Sequence, residues 1–167
     1  MNTTSEQVFS GWKEELSFSS LPLRKELLSN LLSLNYNQMT PIQAHGLPLM
    51  LDKTDIIAQA QTGSGKTVAF GLTILNHLKL EDALTQTLIL CPTRELAEQV
   101  SQVLRRLARL LPNIKILNLS GGTLIRPQCD SLKHGAHIIV GTPGRIQKHL
   151  DKKTLILTDR KSTRLNS

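Results

Sequence analysis

Aromatic side chains are scarce: the 167 residues hold five, Phe9, Trp12, Phe18, Tyr36 and Phe70. A module that reads splayed bases on a stacking surface needs several aromatics on one face, so an RRM-like platform is not expected. Cysteine is nearly absent too. Cys91 and Cys129 form no C-x-x-C pair and have no histidines at metal spacing, which argues against a disulfide framework or a structural zinc site. No run of 18 apolar residues occurs, so neither a membrane-spanning helix nor a membrane partner is expected. The opening Met-Asn-Thr-Thr-Ser-Glu-Gln lacks a basic start and an apolar core; it is not a secretion signal, and a reducing cytoplasm is the expected location. His45, His77, His134, His137 and His149 join no nucleophile or ligand set and read as structural or surface residues. Repeats and low-complexity tracts are missing as well.

What is present is ordinary globular composition, 40% apolar and 20% charged. The length suits one domain, or one domain and a fragment, able to bury about 70% of its unfolded surface. The net charge of +7 suggests a polyanionic partner. Asp159, Arg160, Lys161 and Arg164 contribute +2 of that total, so the rest of the chain is only mildly basic.

One stretch organises the chain. The apolar run Ile56, Ile57 and Ala58 reads as a strand and leads into Ala60-Gln61-Thr62-Gly63-Ser64-Gly65-Lys66-Thr67. An apolar-periodic helix follows at once through Val68, Ala69, Phe70, Leu72 and Ile74 to about His77. Strand, small-residue loop, then helix is the setting of a phosphate-binding loop. Backbone N–H groups point into the turn, the helix N-terminus adds partial positive charge, and Lys66 reaches the outer phosphates. Thr67 offers its hydroxyl to Mg²⁺. The strict G-x-x-x-x-G-K-[ST] pattern is not met, because Ala60 stands at its first glycine. The bland alternative is a flexible Gly-Ser turn capping an ordinary helix.

The remaining pattern alternates strand and helix. Residues 1 to 17 read as an extension. Leu21 to Leu34 repeat at helical spacing, with Pro22 in the first turn, and Asn35-Tyr36-Asn37 breaks that helix. Thr40-Pro41 starts a second helix to about Leu49. Thr87 to Cys91, Ile114 to Leu119 and His137 to Val140 read as buried strands. Helices are expected from Thr93 to Leu111, from 124 to 133, and from about Pro143 to Leu150. Continuously apolar strands alternating with helices imply an α/β fold, a three-layer parallel sheet covered on both faces. Ligands in such sheets sit beyond the carboxyl ends of the strands. The small, polar and basic segments fall there.

Those segments, in this order, resemble the DEAD-box RNA helicases, and flanking residues such as Leu104-Arg105-Arg106-Leu107-Ala108-Arg109 look nearest the bacterial DbpA branch. Ala60 to Thr67 fits A-x-T-G-x-G-K-T, which accounts for Ala60. Pro92-Thr93-Arg94-Glu95-Leu96-Ala97 matches P-T-R-E-L-A; Gly121-Gly122 and Thr142-Pro143-Gly144-Arg145 match the G-G and T-P-G-R elements. Met39-Thr40-Pro41-Ile42-Gln43 looks like the core of the Q motif, with Tyr36 and Phe18 upstream; Asn35 replaces the usual glycine, which leaves that turn open. The resemblance implies a P-loop NTPase, RecA-like helicase domain over residues 18–158 that binds ATP with Mg²⁺ and grips RNA by its sugar–phosphate backbone. Phe18, Tyr36, Gln43, Gln61, Thr62, Gly63, Ser64, Gly65, Lys66 and Thr67 would then hold nucleotide. Pro92, Thr93, Arg94, Glu95, Gly121, Gly122, Thr142, Pro143, Gly144 and Arg145 would meet RNA.

Each implied role has a physical counterpart. The planar Gln43 amide can pair with adenine through one acceptor and one donor. Tyr36 can stack on the ring or serve as a rim aromatic, and Phe18 can be adenine wall or packing anchor. Arg94 and Arg145 at strand-to-helix corners suit phosphates, although solvated arginines beside helix caps would look the same. Glu95 reads as an orienter of Arg94.

Hydrolysis also needs carboxylates for the metal and the attacking water. No D-E-A-D segment occurs. Asp159 ends an apolar run, but Arg160 stands where glutamate belongs. Residues 159–167 fit no pattern of the family and read as a non-native tail, a sequencing artefact. The chain is thus expected to be incomplete at its C-terminus, to lack the second RecA-like domain, to expose an apolar parallel edge at the strand carrying the loop, and to be inactive alone. Rival readings are a non-catalytic RNA-binding module of the same origin and another P-loop ATPase such as a DNA helicase.

Overall fold

The structure, a computed structural model, describes residues 17–82 and 84–157. The extension before Ser17 and the segment from 158 onward, Asp159 included, lie outside those residues. Contacts divide the chain into two compact units, one ending at Asn76 and one beginning at His77.

The first unit opens on a 3₁₀ turn, Phe18–Ser20, capped by Ser17 Oγ. Helix α1 (Lys25–Ser33) begins later than the leucine spacing predicts. The Arg24 N–H donates to Asn76 Oδ1 at 2.8 Å, and Asn76 Nδ2 donates to the Pro22 carbonyl at 3.1 Å. These bonds hold residues 22–24 off the helix, and Arg24 is extended with ψ of 145°. Leu27 and Leu31, one turn apart, are buried. The helix ends with Asn35 left-handed at φ 60°. Its N–H donates to the Leu32 carbonyl, and the Tyr36 N–H reaches back to the Leu31 carbonyl at 2.9 Å, a Schellman ending. Asparagine tolerates this conformation, so the turn left open by the loss of glycine is kept. Helix α2 (Pro41–Leu51) follows with Pro41 in its first turn. Helix α3 (Lys66–His77) starts directly at the loop, as the sequence predicts.

The expected strand at Ile56–Ala58 does not form. No ladder bonds reach this segment among the described residues, and Ile57 is fully exposed. A strand exists only by pairing its N–H and C=O groups with a neighbour, and an apolar run without one stays extended coil.

The second unit is built on three parallel strands, β1 (Thr87–Leu90), β2 (Ile116–Leu119) and β3 (Ile138–Gly141), in the order β1-β3-β2. They alternate with α4 (Arg94–Leu107), α5 (Ile125–Lys133) and α6 (Pro143–Asp151). β3 is buried throughout, as a central parallel strand must be. Ile139 packs with Leu119, Ala136, Ile146 and Leu155, while α4 packs on β2 and β3 through a stripe that includes Ala97, Val100 and Leu104. α4 stops at Leu107, short of the expected Leu111. Ala108 caps it, the Leu111 N–H then closes a tighter turn on the Ala108 carbonyl at 2.9 Å, and the chain leaves through Asn113 at φ 57°. Cys91 is buried, and desolvation pushes its thiol pKa up, the behaviour of an inert core thiol.

Gly141 marks the end of β3. A Cβ there would collide with the Leu119 carbonyl and lie 2.7 Å from Ile146 Cδ1. Gly141→Ala is expected to cost about 1–3 kcal/mol, the range for overpacking. Urea unfolding with an unchanged midpoint would contradict this.

Candidate functional site

In the first unit, the loop and the segment before α2 are joined by one side chain. Gln43, buried on α2, accepts from the Thr40 N–H through Oε1 at 2.9 Å and donates through Nε2 to the Gly65 carbonyl at 3.2 Å. Thr40 Oγ1 donates to the Ser64 carbonyl at 2.8 Å. The adenine candidate and the phosphate loop are therefore one assembly. Gln43 uses one acceptor and one donor internally, which leaves the second lone pair and the second N–H of its amide.

The loop has the geometry expected of an anion cradle. Gly63 and Gly65 have φ of 82° and 94°, and the Ser64 N–H closes a turn on the Gln61 carbonyl at 3.2 Å. A Cβ on Gly65 would strike the Gln43 amide, so glycine is required there by both conformation and space. The Lys66 ammonium arches back over the loop and donates to the carbonyls of Ala60 and Gln61. Ser64 Oγ is buried with no hydrogen-bond partner among the described residues, an unmet need. Gln61, Thr62 and Gly63 are exposed and Thr67 is half-buried in the first turn of α3. Tyr36 is half-buried, whereas Phe18 is buried.

In the second unit the corners lie where the strands stop. Thr93 Oγ1 caps α4 by accepting from the Leu96 N–H at 3.2 Å. Arg94 lies along the Gly121–Gly122 turn, its guanidinium occupying the space a Cβ on Gly122 would need. The structure thus brings the P-T-R-E and G-G segments together. Glu95 does not orient Arg94: among the described residues no ion pair or hydrogen bond joins the two. Pro92, Pro143 and Gly144 are exposed and Thr142 is half-buried. Nothing lies within 4 Å of a Cβ placed on Gly144.

Sequence reasoning missed what holds Arg145. Its NH1 donates to Gln128 Oε1 at 2.8 Å and its NH2 to the Thr123 carbonyl at 2.8 Å. His149, fully buried on α6, shares Gln128 Oε1 through Nε2 at 3.0 Å and reaches Thr154 Oγ1 through Nδ1 at 2.9 Å. Gln128 sits on a helix that buries no residue fully, and only its tertiary contacts single it out.

With this geometry in view, the comparisons are specific. Residues 40–164 match the DEAD/DEAH box helicase family. The chain belongs to that family. It is 56% identical over 130 residues to the ATP-dependent RNA helicase DbpA of Escherichia coli, covering 78% of this chain and 28% of that protein. It is 42% identical over 144 residues to the DEAD-box ATP-dependent RNA helicase CshA of Streptococcus pneumoniae, covering 86% and 27%. The chain therefore spans little more than a quarter of either relative. Among solved structures it is similar to a DEAD box protein from the hyperthermophile Methanococcus jannaschii, with TM-score 0.83 and 36% identity over 89% of this chain and 41% of that one. S. cerevisiae Dbp5 bound to RNA and ADP BeF3 gives TM-score 0.77 and 32% identity over 89% and 37%. The fold expected from the helicase resemblance, α/β with a parallel sheet, is the fold observed.

Family membership leaves His149 to be explained by its surroundings. Burial, followed by the charges of Arg145 and Lys152, holds its imidazole below the ordinary histidine pKa. As pH falls, the unfolded chain takes up this proton first. The stabilising contribution is thus intact above about pH 6.5 and is lost as pH falls through the folded value. The urea midpoint is expected to drop between about pH 7.5 and about pH 5.5, and His149→Gln should make that drop smaller. Equal pH dependence in the two proteins would refute the assignment.

Proposed function

We propose that this chain supplies the nucleotide-binding loop and an RNA-binding strand edge of an ATP-dependent RNA helicase. The observation that carries the reading is the loop itself. Two left-handed glycines run straight into the N-terminus of α3, Lys66 lies across the turn, and Gln43 fastens the loop to α2.

The residues fit a nucleotide triphosphate. First-turn N–H groups and the helix dipole favour anionic oxygens. The Lys66 ammonium, now on two carbonyls, would exchange them for β- and γ-phosphate oxygens, a stronger charge-assisted pairing. The orphaned Ser64 hydroxyl would gain an acceptor. The two unused positions on the Gln43 amide match the exocyclic amine and ring nitrogen of adenine, with half-buried Tyr36 as a ring neighbour. Thr67 would be one ligand to Mg²⁺, whose contribution is to neutralise charge on the transferred phosphoryl group.

RNA would be gripped by backbone rather than base. Helix starts at Thr93 and Thr142, the open space over Gly144, and the guanidinium groups of Arg94 and Arg145 all suit phosphate. No aromatic residue lies at these corners to stack bases. In a helicase, ATP-dependent hold on one strand in a conformation incompatible with the duplex separates the pair.

Titration with a fluorescent ATP analogue tests the loop. Lys66→Ala is expected to weaken binding at least about tenfold, near 1.4 kcal/mol. An unchanged affinity would remove the proposed role of the loop. The 167-residue chain contains no D-E-A-D segment and should release no phosphate from ATP with or without RNA. RNA-stimulated release that is lost in Lys66→Ala would show the catalytic carboxylates to be present after all. Gly144→Ala should leave stability within about 0.5 kcal/mol while weakening single-stranded RNA binding. Retained RNA affinity would place the phosphate elsewhere, and stronger binding to single-stranded DNA than to RNA would favour a DNA helicase.

A further inference from the structure

The Gln128 side chain uses its whole hydrogen-bonding capacity. Oε1 accepts from Arg145 NH1 at 2.8 Å and contacts His149 Nε2 at 3.0 Å. Nε2 donates to the Ser120 carbonyl at 3.1 Å and to Thr123 Oγ1 at 3.2 Å. A glutamine amide offers two acceptor and two donor positions, and all four are taken. The set also fixes which way the amide points: reversed, its NH₂ would face the Arg145 donor, and its oxygen would face the Ser120 carbonyl. Because Gln128 Oε1 can only accept, His149 donates through Nε2.

Gln128 therefore ties together three pieces of chain. It grips the turn from Ser120 to Thr123, against which Arg94 lies. It holds the guanidinium of Arg145 on α6. It is itself held by His149, fully buried one turn further along that helix. Arg145 also donates to the Thr123 carbonyl, so the turn and the arginine are clamped from two sides. Two of the five guanidinium donors are used inward and three remain for an anion.

We infer that Gln128 is a positioning residue for RNA binding, aiming Arg145 at a phosphate and fixing its spacing from the Gly121–Gly122 turn. The inference rests on the reading of these corners as RNA phosphate sites. A free arginine must order its side chain when it binds, whereas one already pinned at two donors has lost most of that freedom in advance. Loss of Gln128 would leave the charge of Arg145 in place and remove its aim.

Salt dependence separates positioning from simple structural support. Each phosphate contact on single-stranded nucleic acid contributes about 0.7 to the slope of log affinity against log salt. Gln128→Met removes no charge and keeps nearly the same volume. Binding of the 167-residue chain to a fluorescent oligouridylate is measured across a salt series for wild type, Gln128→Met, Arg145→Ala and the double variant. Both single variants are expected to weaken binding about fivefold, the scale of one hydrogen-bonded contact, and to lower the slope by about 0.7. The double variant should bind no worse than Arg145→Ala alone.

If Arg145→Ala weakens binding and Gln128→Met keeps both wild-type affinity and slope, the positioning role is overturned and the RNA reading survives. If the losses multiply in the double variant, Gln128 does not act through Arg145. If Arg145→Ala changes neither quantity, the RNA reading fails at this corner. Gln128→Asn covers the case in which the methionine variant does not fold. It keeps an uncharged amide but is one methylene too short to reach Arg145, so the slope should again fall; an unchanged slope overturns the inference.

Discussion

Leu90, Gly141 and Leu119 lie on one rung of the sheet, each paired across β3 in parallel register. The Cys91 N–H donates to the Gly141 carbonyl at 2.9 Å, and the Thr142 N–H donates to the Leu119 carbonyl at 3.3 Å. Three strands thus end level, and the segments that follow leave from the same edge. Without this rung Thr93, Gly121 and Thr142 would be unrelated helix caps and turns. With it they form a row, and a row of backbone donors and guanidinium groups can meet a repeating polyanion. The close approach that defines the rung is possible because Gly141 has no side chain.

The first unit solves a similar positioning problem with a side chain instead of a ladder. A loop with left-handed glycines has many alternatives in the unfolded chain, and glycine is the residue that loses most entropy when fixed. Gln43 and Thr40 hold it at neighbouring carbonyls, Gly65 and Ser64. A buried polar group costs free energy unless it is bonded, and Gln43 meets that requirement by using the loop as its partner. Removal of either side leaves a buried polar group unmatched. The start of α2 and the loop therefore depend on each other.

Much of this was legible in the sequence because it is local. Thr40-Pro41, Gly65-Lys66 and Thr93-Arg94 announce helix starts through cap chemistry and proline geometry, and α2, α3 and α4 begin there. The strands β1, β2 and β3 followed from short apolar runs. The strand expected at Ile56–Ala58 failed because pairing is not a property of one segment; the same apolar residues that make a strand beside a partner make exposed coil without one. Helix ends were misjudged where distant groups decide them, as when Asn76 holds residues 22–24 extended. The site was legible as a set of motifs, not as a set of contacts. No local pattern distinguishes Gln128 from any half-exposed glutamine, and none links Arg94 to the Gly121–Gly122 turn rather than to Glu95.

The glycines sharpen the distinction between residues that build the scaffold and residues left for a ligand. Gly65, Gly122 and Gly141 face occupied space: the Gln43 amide, the Arg94 guanidinium, and the Leu119 carbonyl with Ile146. Their absence of a side chain is explained by the protein's own packing. Gly144 has neither a left-handed φ nor any atom within 4 Å of a Cβ. Packing does not require glycine there, and a larger residue could stand at this exposed position at little cost in stability. A glycine that the fold does not need, beside an arginine anchored by a saturated amide, is best explained by something that approaches the backbone from outside. At a helix N-terminus on a basic edge, an anion is the ligand chemistry best suited to that approach, as the proposed RNA grip requires.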